Sequence, residues 1–182
     1  TYGAGIKDRA KDSYPVVLGK MLGEKYIVKN FGVSGRTMLN KGDRPYMKEG
    51  KFKEAIEFNP DIIVIKLGTN DSKPHNRIHL SEFKADAETL LQAFDTLSTK
   101  PLIYICYPAK VYSNESGIDD EVIVNNIIPI ISQIATEYKL KVIDLHTALS
   151  DMPQNFPDNI HPNEEGAKAL AQEVYKAILN KE

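Results

Sequence analysis

The sequence IIVIKL at residues 62–67 and the sequence LIYICY at residues 102–107 determine the architecture that we expect. Both runs are short, rich in β-branched and aromatic residues and followed by turn-forming residues, which is typical of β-strands. They are apolar at nearly every position, so we expect helices to cover both faces of the sheet. Two further runs, Tyr26–Phe31 and Lys141–Leu145, predict additional strands.

Amphipathic patterns between these runs predict helices, with a kink at Pro129. The predicted helices cover residues 13–24, 48–58, 81–98, 119–138 and 163–180. Alternation of strand and helix favours an α/β fold. We therefore predict a three-layer α/β/α domain with a parallel, flavodoxin-like sheet.

We expect the first strand of this fold to lie upstream of the given sequence. The chain opens with the turn-like residues Thr1–Gly5 and leads directly into a helix, whereas such domains usually begin with a strand inside the sheet. Each buried backbone group left without a partner costs about 1–3 kcal/mol. We therefore expect residues 1–182 to be a single domain that is N-terminally truncated. Its upstream strand should lie between Tyr26–Phe31 and Ile62–Leu67.

Composition argues against several classes of partner. The net charge is −2 and the basic residues are scattered, so we expect no nucleic-acid partner. No apolar run approaches the ~20 residues of a membrane span. The single cysteine, Cys106, excludes an internal disulfide framework and a zinc site built from cysteines. His75 and His79 lack an accompanying carboxylate cluster, so we expect neither a metal nor another cofactor.

Three segments carry polar residues to the carboxyl ends of predicted strands or to a helix start, where α/β sheets place their sites. They are NFGVSGRT at residues 30–37, KLGTND at residues 66–71 and DNIHP at residues 158–162. Taken singly, each has an ordinary structural explanation: a glycine turn, an Asx turn or a helix cap. Asp71 is expected to brace its loop rather than to act chemically.

Taken together and in this order, the segments resemble the blocks of the SGNH/GDSL hydrolases. Gly35 matches the oxyanion-hole glycine of that family, Asn70 its oxyanion asparagine, and Asp158 and His161 its acid and base. The opening Thr1–Gly3 matches the end of the family's first block, which commonly runs Ser-x-Thr-x-Gly. The resemblance implies a serine ester hydrolase in which His161 deprotonates the serine and Asp158 orients the imidazole.

The nucleophilic serine implied by the resemblance would lie two residues before Thr1, outside the chain. Neither Ser13 nor Ser34 sits in a matching context, so neither is assigned as the nucleophile. An N-terminal threonine hydrolase using Thr1 is an alternative, but its sheet sandwich does not fit the alternation of strand and helix. A non-catalytic carbohydrate-binding relative is another.

The segments flanking the motifs suggest a carbohydrate ester as substrate. We predict that Tyr107 and Lys110 contact a sugar, with Tyr112 beside them and Thr37–Tyr46 on the opposite wall. Arg36 either contacts the substrate or supports its turn through a salt bridge. The motifs resemble those of sialate, rhamnogalacturonan and xylan O-acetylesterases, so removal of O-acetyl groups is the predicted activity. A small-acyl esterase, a thioesterase or a lysophospholipase-like hydrolase remains the alternative, and the family's habits favour a secreted or periplasmic protein.

Overall fold

The computed structural model describes residues 5–180 and has the predicted α/β architecture. Within those residues one parallel sheet contains β1 (Ile62–Ile65), β2 (Leu102–Tyr107) and β3 (Lys141–Asp144), in the order β1-β2-β3. Val64 lies opposite Tyr104 in the first ladder. The strands coincide with three of the four predicted runs, and β1 ends two residues early because Lys66–Gly68 turn into a loop.

Helices follow or precede each strand, as the amphipathic patterns predicted. They are α1 (Arg9–Asp12), α2 (Tyr14–Leu22), α3 (Gly50–Phe58), α4 (Pro74–Arg77), α5 (Phe83–Asp95), α6 (Asp120–Val122), α7 (Ile128–Glu137), α8 (Leu145–Ala148) and α9 (Glu164–Leu179). Among residues 5–180, none of these helices has the length and apolar character needed to cross a bilayer.

The two faces of the sheet carry separate apolar clusters, which gives the three-layer arrangement. Successive side chains of a strand point to opposite faces. Ile105 of β2 therefore packs with Phe83 of α5 and Ile131 of α7 in one cluster. Tyr104 packs with Leu170 of α9 in the other. Both faces are buried at the centre of β2, at Tyr104 and Ile105, as the continuous apolar character of this strand predicted.

The kink expected at Pro129 takes the form of a π-helical turn at Ile123–Ile127, between α6 and α7. Proline has no N–H to donate to the preceding turn, and the wider turn accommodates that loss. The turn brings Ile127 against Gly68, the residue that follows β1 and leads into Asn70. A Cβ on Gly68 would lie 3.0 Å from Cγ2 of Ile127, so only glycine allows this approach.

The prediction of a strand at Tyr26–Phe31 was wrong for the described part of the chain. The segment belongs to no helix and to no ladder, and Ile27 is 75% exposed. A strand needs a hydrogen-bonded neighbour, and in residues 5–180 the only ladder made by β1 is with β2. The free edge of β1 and the segment Tyr26–Phe31 instead face each other across a gap.

This gap is an apolar cleft of about 560 Å³. Residues from α2, from Tyr26–Phe31, from β1 and from α5 line it; they include Leu18, Val28, Phe31, Val64 and Leu90. It lies where the sequence placed the upstream strand. That the natural protein fills it with such a strand stays a prediction.

Replacing Gly68 with alanine should destabilise the protein. Gly68 has φ +113°, which L side chains rarely adopt, and an added Cβ would press on Ile127 and Pro108. We expect Gly68→Ala to lower the free energy of unfolding by about 1–3 kcal/mol, measured by urea denaturation. Gly50→Ala is the matched control, because a Cβ there meets nothing within 4 Å, and it should change stability by less than about 1 kcal/mol. Equal effects of the two substitutions would contradict this account of Gly68.

Candidate active site

One small cavity brings together residues from all three motifs. It has a volume of about 90 Å³ and lies at the carboxyl end of β1. Gly35, Asn70 and His161 all line it, although they are far apart in the chain. Ala109, Ile118 and Ile160 supply an apolar part of its wall. The convergence of the three motifs that was expected from their positions at strand ends is present in the structure.

Asp158 and His161 form a hydrogen-bonded pair at this cavity. His161 Nδ1 lies 2.7 Å from Asp158 Oδ2, while Asp158 Oδ1 accepts hydrogen bonds from the backbone N–H groups of Ile160 and His161. Asn159 has φ +64°, which folds the segment into a turn tight enough for both carboxylate oxygens to be used. The pair therefore comes from one short turn before α9.

The electrostatics of the pair favour an ionised carboxylate. Partial burial raises the pKa of Asp158, but hydrogen bonds from the His161 backbone and imidazole and from the Ile160 backbone together bring it below its ordinary value. An ionised Asp158 can only accept, so Nδ1 of His161 carries the donated hydrogen. The other ring nitrogen, Nε2, has no hydrogen-bond partner among residues 5–180 and is the atom available to take a proton.

The beginning of the described chain packs directly on this turn. A Cβ on Gly5 would lie 3.1 Å from Cβ of His161 and 2.6 Å from the carbonyl oxygen of Pro162. Gly5 therefore lies too close to the Asp158–His161 turn for a side chain to fit at this position. Thr1–Gly3, which carry the resemblance to the first block of the hydrolase family, lie outside the described residues.

Gly35 sits in a turn whose conformation suits glycine, with φ +76°. Its backbone N–H makes no hydrogen bond within residues 5–180. Arg36 stabilises the turn: Nη1 donates to the Ser34 carbonyl at 2.7 Å and Nε contacts Glu49 at 2.6 Å. Of the two roles considered for Arg36, the structure shows the supporting salt bridge. Arg36 also lines the cavity, so substrate contact by it stays a prediction.

Asn70 is held in place by hydrogen bonds of both its side chain and its backbone. Its Nδ2 donates to the Arg36 carbonyl at 3.2 Å, which fixes the side-chain amide and leaves its second N–H unused by residues 5–180. The backbone carbonyl of Asn70 accepts from Nδ2 of Asn76 at 2.8 Å. Asn76 is fully buried and also binds the backbone N–H and the carboxylate of Asp43. Sequence reasoning did not identify Asn76, because its contact with Asp43, 33 residues away, exists only in the folded chain.

Asp71 joins the Asn70 loop to the Gly35 turn. Its buried carboxylate accepts from the backbone N–H groups of Met38 at 3.1 Å and Leu39 at 2.9 Å. Burial raises the pKa of Asp71 to about 6, and the backbone hydrogen bonds act in the opposite direction. The expected bracing role of Asp71 agrees with these contacts.

The structure places the residues that were predicted to contact a sugar outside the small cavity. Neither Tyr107 nor Lys110 lines the 90 Å³ cavity. Tyr107 lies two residues after Ile105 on β2 and so packs with the same apolar cluster. Tyr112 donates its hydroxyl to the Leu149 carbonyl and packs its ring on Phe156. Tyr107 and Tyr112 thus make contacts within the fold, Ala109 lines the cavity, and sugar contact by Lys110 stays a prediction.

Two histidine contacts lie outside the cavity. His146 Nε2 is 3.2 Å from Asp120 Oδ1, which also accepts from the Val111 backbone, so this pair secures the loop that follows β2. His75 Nε2 is 3.3 Å from Asp43 Oδ2. Within residues 5–180 there is no cluster of three or more histidine, cysteine, aspartate or glutamate side chains suited to a metal.

Lys66 is a cavity residue that sequence reasoning did not single out. It lies between Ile65 and Leu67 and lines both the 90 Å³ cavity and the apolar cleft. Burial lowers the pKa of Lys66. The ammonium group of Lys66 makes no hydrogen bond or ion pair in the described part of the chain. Its position in a run of apolar residues was the available signal.

Comparison with known proteins identifies relatives of this chain. Residues 1–169 match the GDSL-like lipase/acylhydrolase family. The chain is 45% identical to an acetylxylan esterase of Xylanibacter ruminicola; the match covers 98% of this chain but only 41% of that protein.

Among solved structures, an acetyl xylan esterase superposes with a TM-score of 0.73 at 18% identity, covering 93% of this chain and 92% of that one. A carbohydrate acetylesterase from Sinorhizobium meliloti gives 0.75 at 16% identity, with 92% and 85% covered. These two likenesses concern the fold.

The pKa of Asp71 predicts a pH dependence of stability. A carboxyl whose pKa is raised from 3.8 in the unfolded chain to about 6 holds its proton longer in the folded state. The folded state then binds more protons between these values, so the free energy of unfolding should fall as the pH rises from about 4 to about 6. We expect the free energy of unfolding of the wild type, relative to that of Asp71→Asn, to fall by up to about 3 kcal/mol over this pH range. Urea denaturation at several pH values measures this difference. A difference that is constant with pH would contradict the raised pKa.

Proposed function

The chain belongs to the GDSL-like lipase/acylhydrolase family, and we propose that it is a carboxylic ester hydrolase that removes O-acetyl groups from a carbohydrate. The observation that carries this proposal is the Asp158–His161 pair, whose free Nε2 shares one cavity with Gly35 and Asn70. A base, its orienting carboxylate and two donors for an oxyanion are the groups that ester hydrolysis needs.

The base is prepared by Asp158. Its ionised carboxylate fixes the tautomer in which Nδ1 carries hydrogen and Nε2 accepts, and it stabilises the imidazolium that forms. A serine hydroxyl at Nε2 would lose its proton to His161 as its oxygen attacks the acetyl carbonyl carbon. The same proton would pass to the departing sugar oxygen, leaving an acetyl-serine. Water, deprotonated by His161, would then release acetate and restore the serine.

The oxyanion of the tetrahedral intermediate would be held by donors on two residues that line the cavity, Gly35 and Asn70. The Gly35 backbone N–H and the second N–H of the Asn70 amide have no partner among residues 5–180. The Arg36 carbonyl, Asn76 and Asp71 fix these two donors before a substrate arrives. Donors that are oriented in advance cost no reorganisation during the reaction.

The serine would come from the segment that the sequence places before Thr1, and the apolar cleft beside β1 would hold the strand leading to it. Gly5 already packs on His161, and a serine about six residues earlier could lie up to ~20 Å along an extended chain. Ser34 also lines the cavity, but its hydroxyl makes no hydrogen bond with His161.

The size of the cavity favours a short acyl group. Pockets that enclose drug-sized ligands are about 300–1,000 Å³, so 90 Å³ holds only a few heavy atoms. The relative with 45% identity is named an acetylxylan esterase, which is consistent with acetyl removal from a sugar. Because that relative is more than twice as long as this chain, the substrate of the whole protein is part of the proposal. A polysaccharide substrate would suit a secreted or periplasmic enzyme, which cell fractionation tests.

The apolar cleft favours a second candidate function. At about 560 Å³ it could hold a long acyl chain if no strand fills it, which would make the protein a lysophospholipase-like acylhydrolase. Each buried methylene would then contribute about 0.8 kcal/mol. The two functions predict opposite preferences for chain length.

Chain-length preference should separate these functions in the full-length protein. We expect kcat/KM to be highest for p-nitrophenyl acetate and to fall by at least about tenfold for the octanoyl ester, since the cavity lacks room for it. The measurement compares acetyl, butyryl and octanoyl esters. Values that stay equal or rise with chain length would favour the lipase-like function.

Substitutions at the cavity should identify its chemical groups. We expect Asn70→Ala to lower kcat toward p-nitrophenyl acetate by about 10²–10³-fold through loss of an oxyanion donor. Asn40→Ala also removes a hydrogen-bonded amide, in this case from Asp86, and should leave kcat within a few-fold of the wild type.

The histidines offer a second matched pair. His161→Ala should abolish turnover, whereas His146→Ala, which breaks the other histidine–aspartate pair, should lower stability more than kcat. Activity surviving in His161→Ala would remove His161 from the mechanism. Loss of turnover in Ser34→Ala at unchanged stability would make Ser34 the nucleophile instead.

A further inference from the structure

Arg44 differs from the other cations of its own segment because its side chain has no hydrogen-bond or ion-pair partner among residues 5–180. In the segment from Arg36 to Glu49, Arg36 pairs with Glu49, Lys41 pairs with Glu82, and Lys48 donates to the Asn40 carbonyl. The guanidinium of the remaining cation of the segment, Arg44, makes no hydrogen bond or ion pair with residues 5–180.

Carboxylates near Arg44 are already occupied. Asp43 is held by Asn76 and contacts His75, and Glu49 is held by Arg36. Asp71 is fully buried and accepts from backbone N–H groups. The positive charge of Arg44 is therefore not neutralised by its own loop, although Arg44 directly follows an aspartate.

The position of Arg44 is fixed by its backbone. Its carbonyl accepts from the Thr37 N–H at 3.0 Å, and the Thr37 carbonyl accepts from the Tyr46 N–H at 3.0 Å. Gly42 lies so close to Thr37 that a Cβ would be 2.4 Å from its hydroxyl oxygen. Asp43 is anchored on the opposite side by Asn76. The loop thus presents an exposed side chain from a rigid base.

The side chain of Arg44 lies against the cavity glycine. A Cβ on Gly35 would be 3.8 Å from Nη1 and 3.9 Å from Cδ of Arg44. Gly35 lines the cavity together with Asn70 and His161, so the guanidinium stands at the rim of the proposed acetyl site. A substrate group bound by this guanidinium would belong to the part of the substrate that remains outside the 90 Å³ cavity.

We propose that Arg44 binds a carboxylate carried by the sugar substrate next to the acetyl group that is removed. The guanidinium is a planar fork of five N–H donors that matches a carboxylate in bidentate fashion, and all five are free of protein acceptors in residues 5–180. The substrate class is then an acetylated, uronic-acid-bearing oligosaccharide or polysaccharide. This inference rests on the proposed acetylesterase function and names the specificity of the same site.

The test compares two acetylated xylo-oligosaccharides that differ only in a glucuronic acid substituent next to the acetylated sugar. In the full-length protein, we expect Arg44→Gln to lower the ratio of kcat/KM for the acidic substrate to that for the neutral one by about tenfold or more. Arg44→Lys keeps the charge without the fork and should lie between the two. In the wild type this ratio should also fall as ionic strength rises.

Lys41→Gln is the matched control, because it removes one positive charge from the same loop at a side chain that pairs with Glu82 instead of facing Gly35. It should leave the ratio unchanged. If Arg44→Gln leaves the ratio unchanged, the inference is overturned. If the ratio is unchanged because kcat/KM falls equally for both substrates, Arg44 binds neutral hydroxyls instead of a carboxylate.

Binding separates this inference from the proposed function. Calorimetry with the His161→Ala protein should show about tenfold tighter binding of the acidic oligosaccharide, lost on adding Arg44→Gln. If the wild-type protein hydrolyses neither substrate but this difference in binding is present, acetylesterase activity fails and carboxylate recognition stands. If hydrolysis occurs but neither the binding difference nor the change in ratio is seen, the inference about Arg44 fails alone.

Discussion

The buried carboxylate of Asp71 is the interaction on which the site depends. It accepts from two successive backbone N–H groups, those of Met38 and Leu39, and so fastens the Gly35 turn to the loop that leaves β1. Hydrogen bonds to a charged group contribute about 1.5–3 kcal/mol each, more than neutral ones. The cost is the removal of the carboxylate from water, which appears as its raised pKa. Asp71 therefore fixes the two loops, although burying its negative charge is itself unfavourable.

Several features that position the site were predictable because they depend on local sequence. The strands β1, β2 and β3 follow from continuous apolar runs, and the order of the three motifs along the chain places Gly35, Asn70 and His161 at one edge of the sheet. The pairing of Asp158 with His161 was implied by the resemblance to the hydrolase family, and the structure forms it within one short turn.

Features that depend on tertiary contacts could not be predicted in this way. Tyr26–Phe31 has a strand-like composition, but a strand also requires a neighbour, and in residues 5–180 it has none. Tyr107 is suited to stacking on a sugar, yet strand alternation turns it toward the core with Ile105. Asn76 has a polar sequence context, and its burial against Asp43 and Asn70 follows only from the folded loops.

The cleft and the cavity are neighbours, so completion of the sheet bears on selectivity for the acyl group. Val33, Lys66 and Leu67 line both spaces. A strand in the cleft would take up the apolar volume that a long acyl chain needs, leaving only the 90 Å³ cavity beside His161. It would also close over Lys66, whose charge is already costly to bury. Under the proposed function, a preference for acetyl groups follows from how the fold is completed, without any further residue to exclude longer chains.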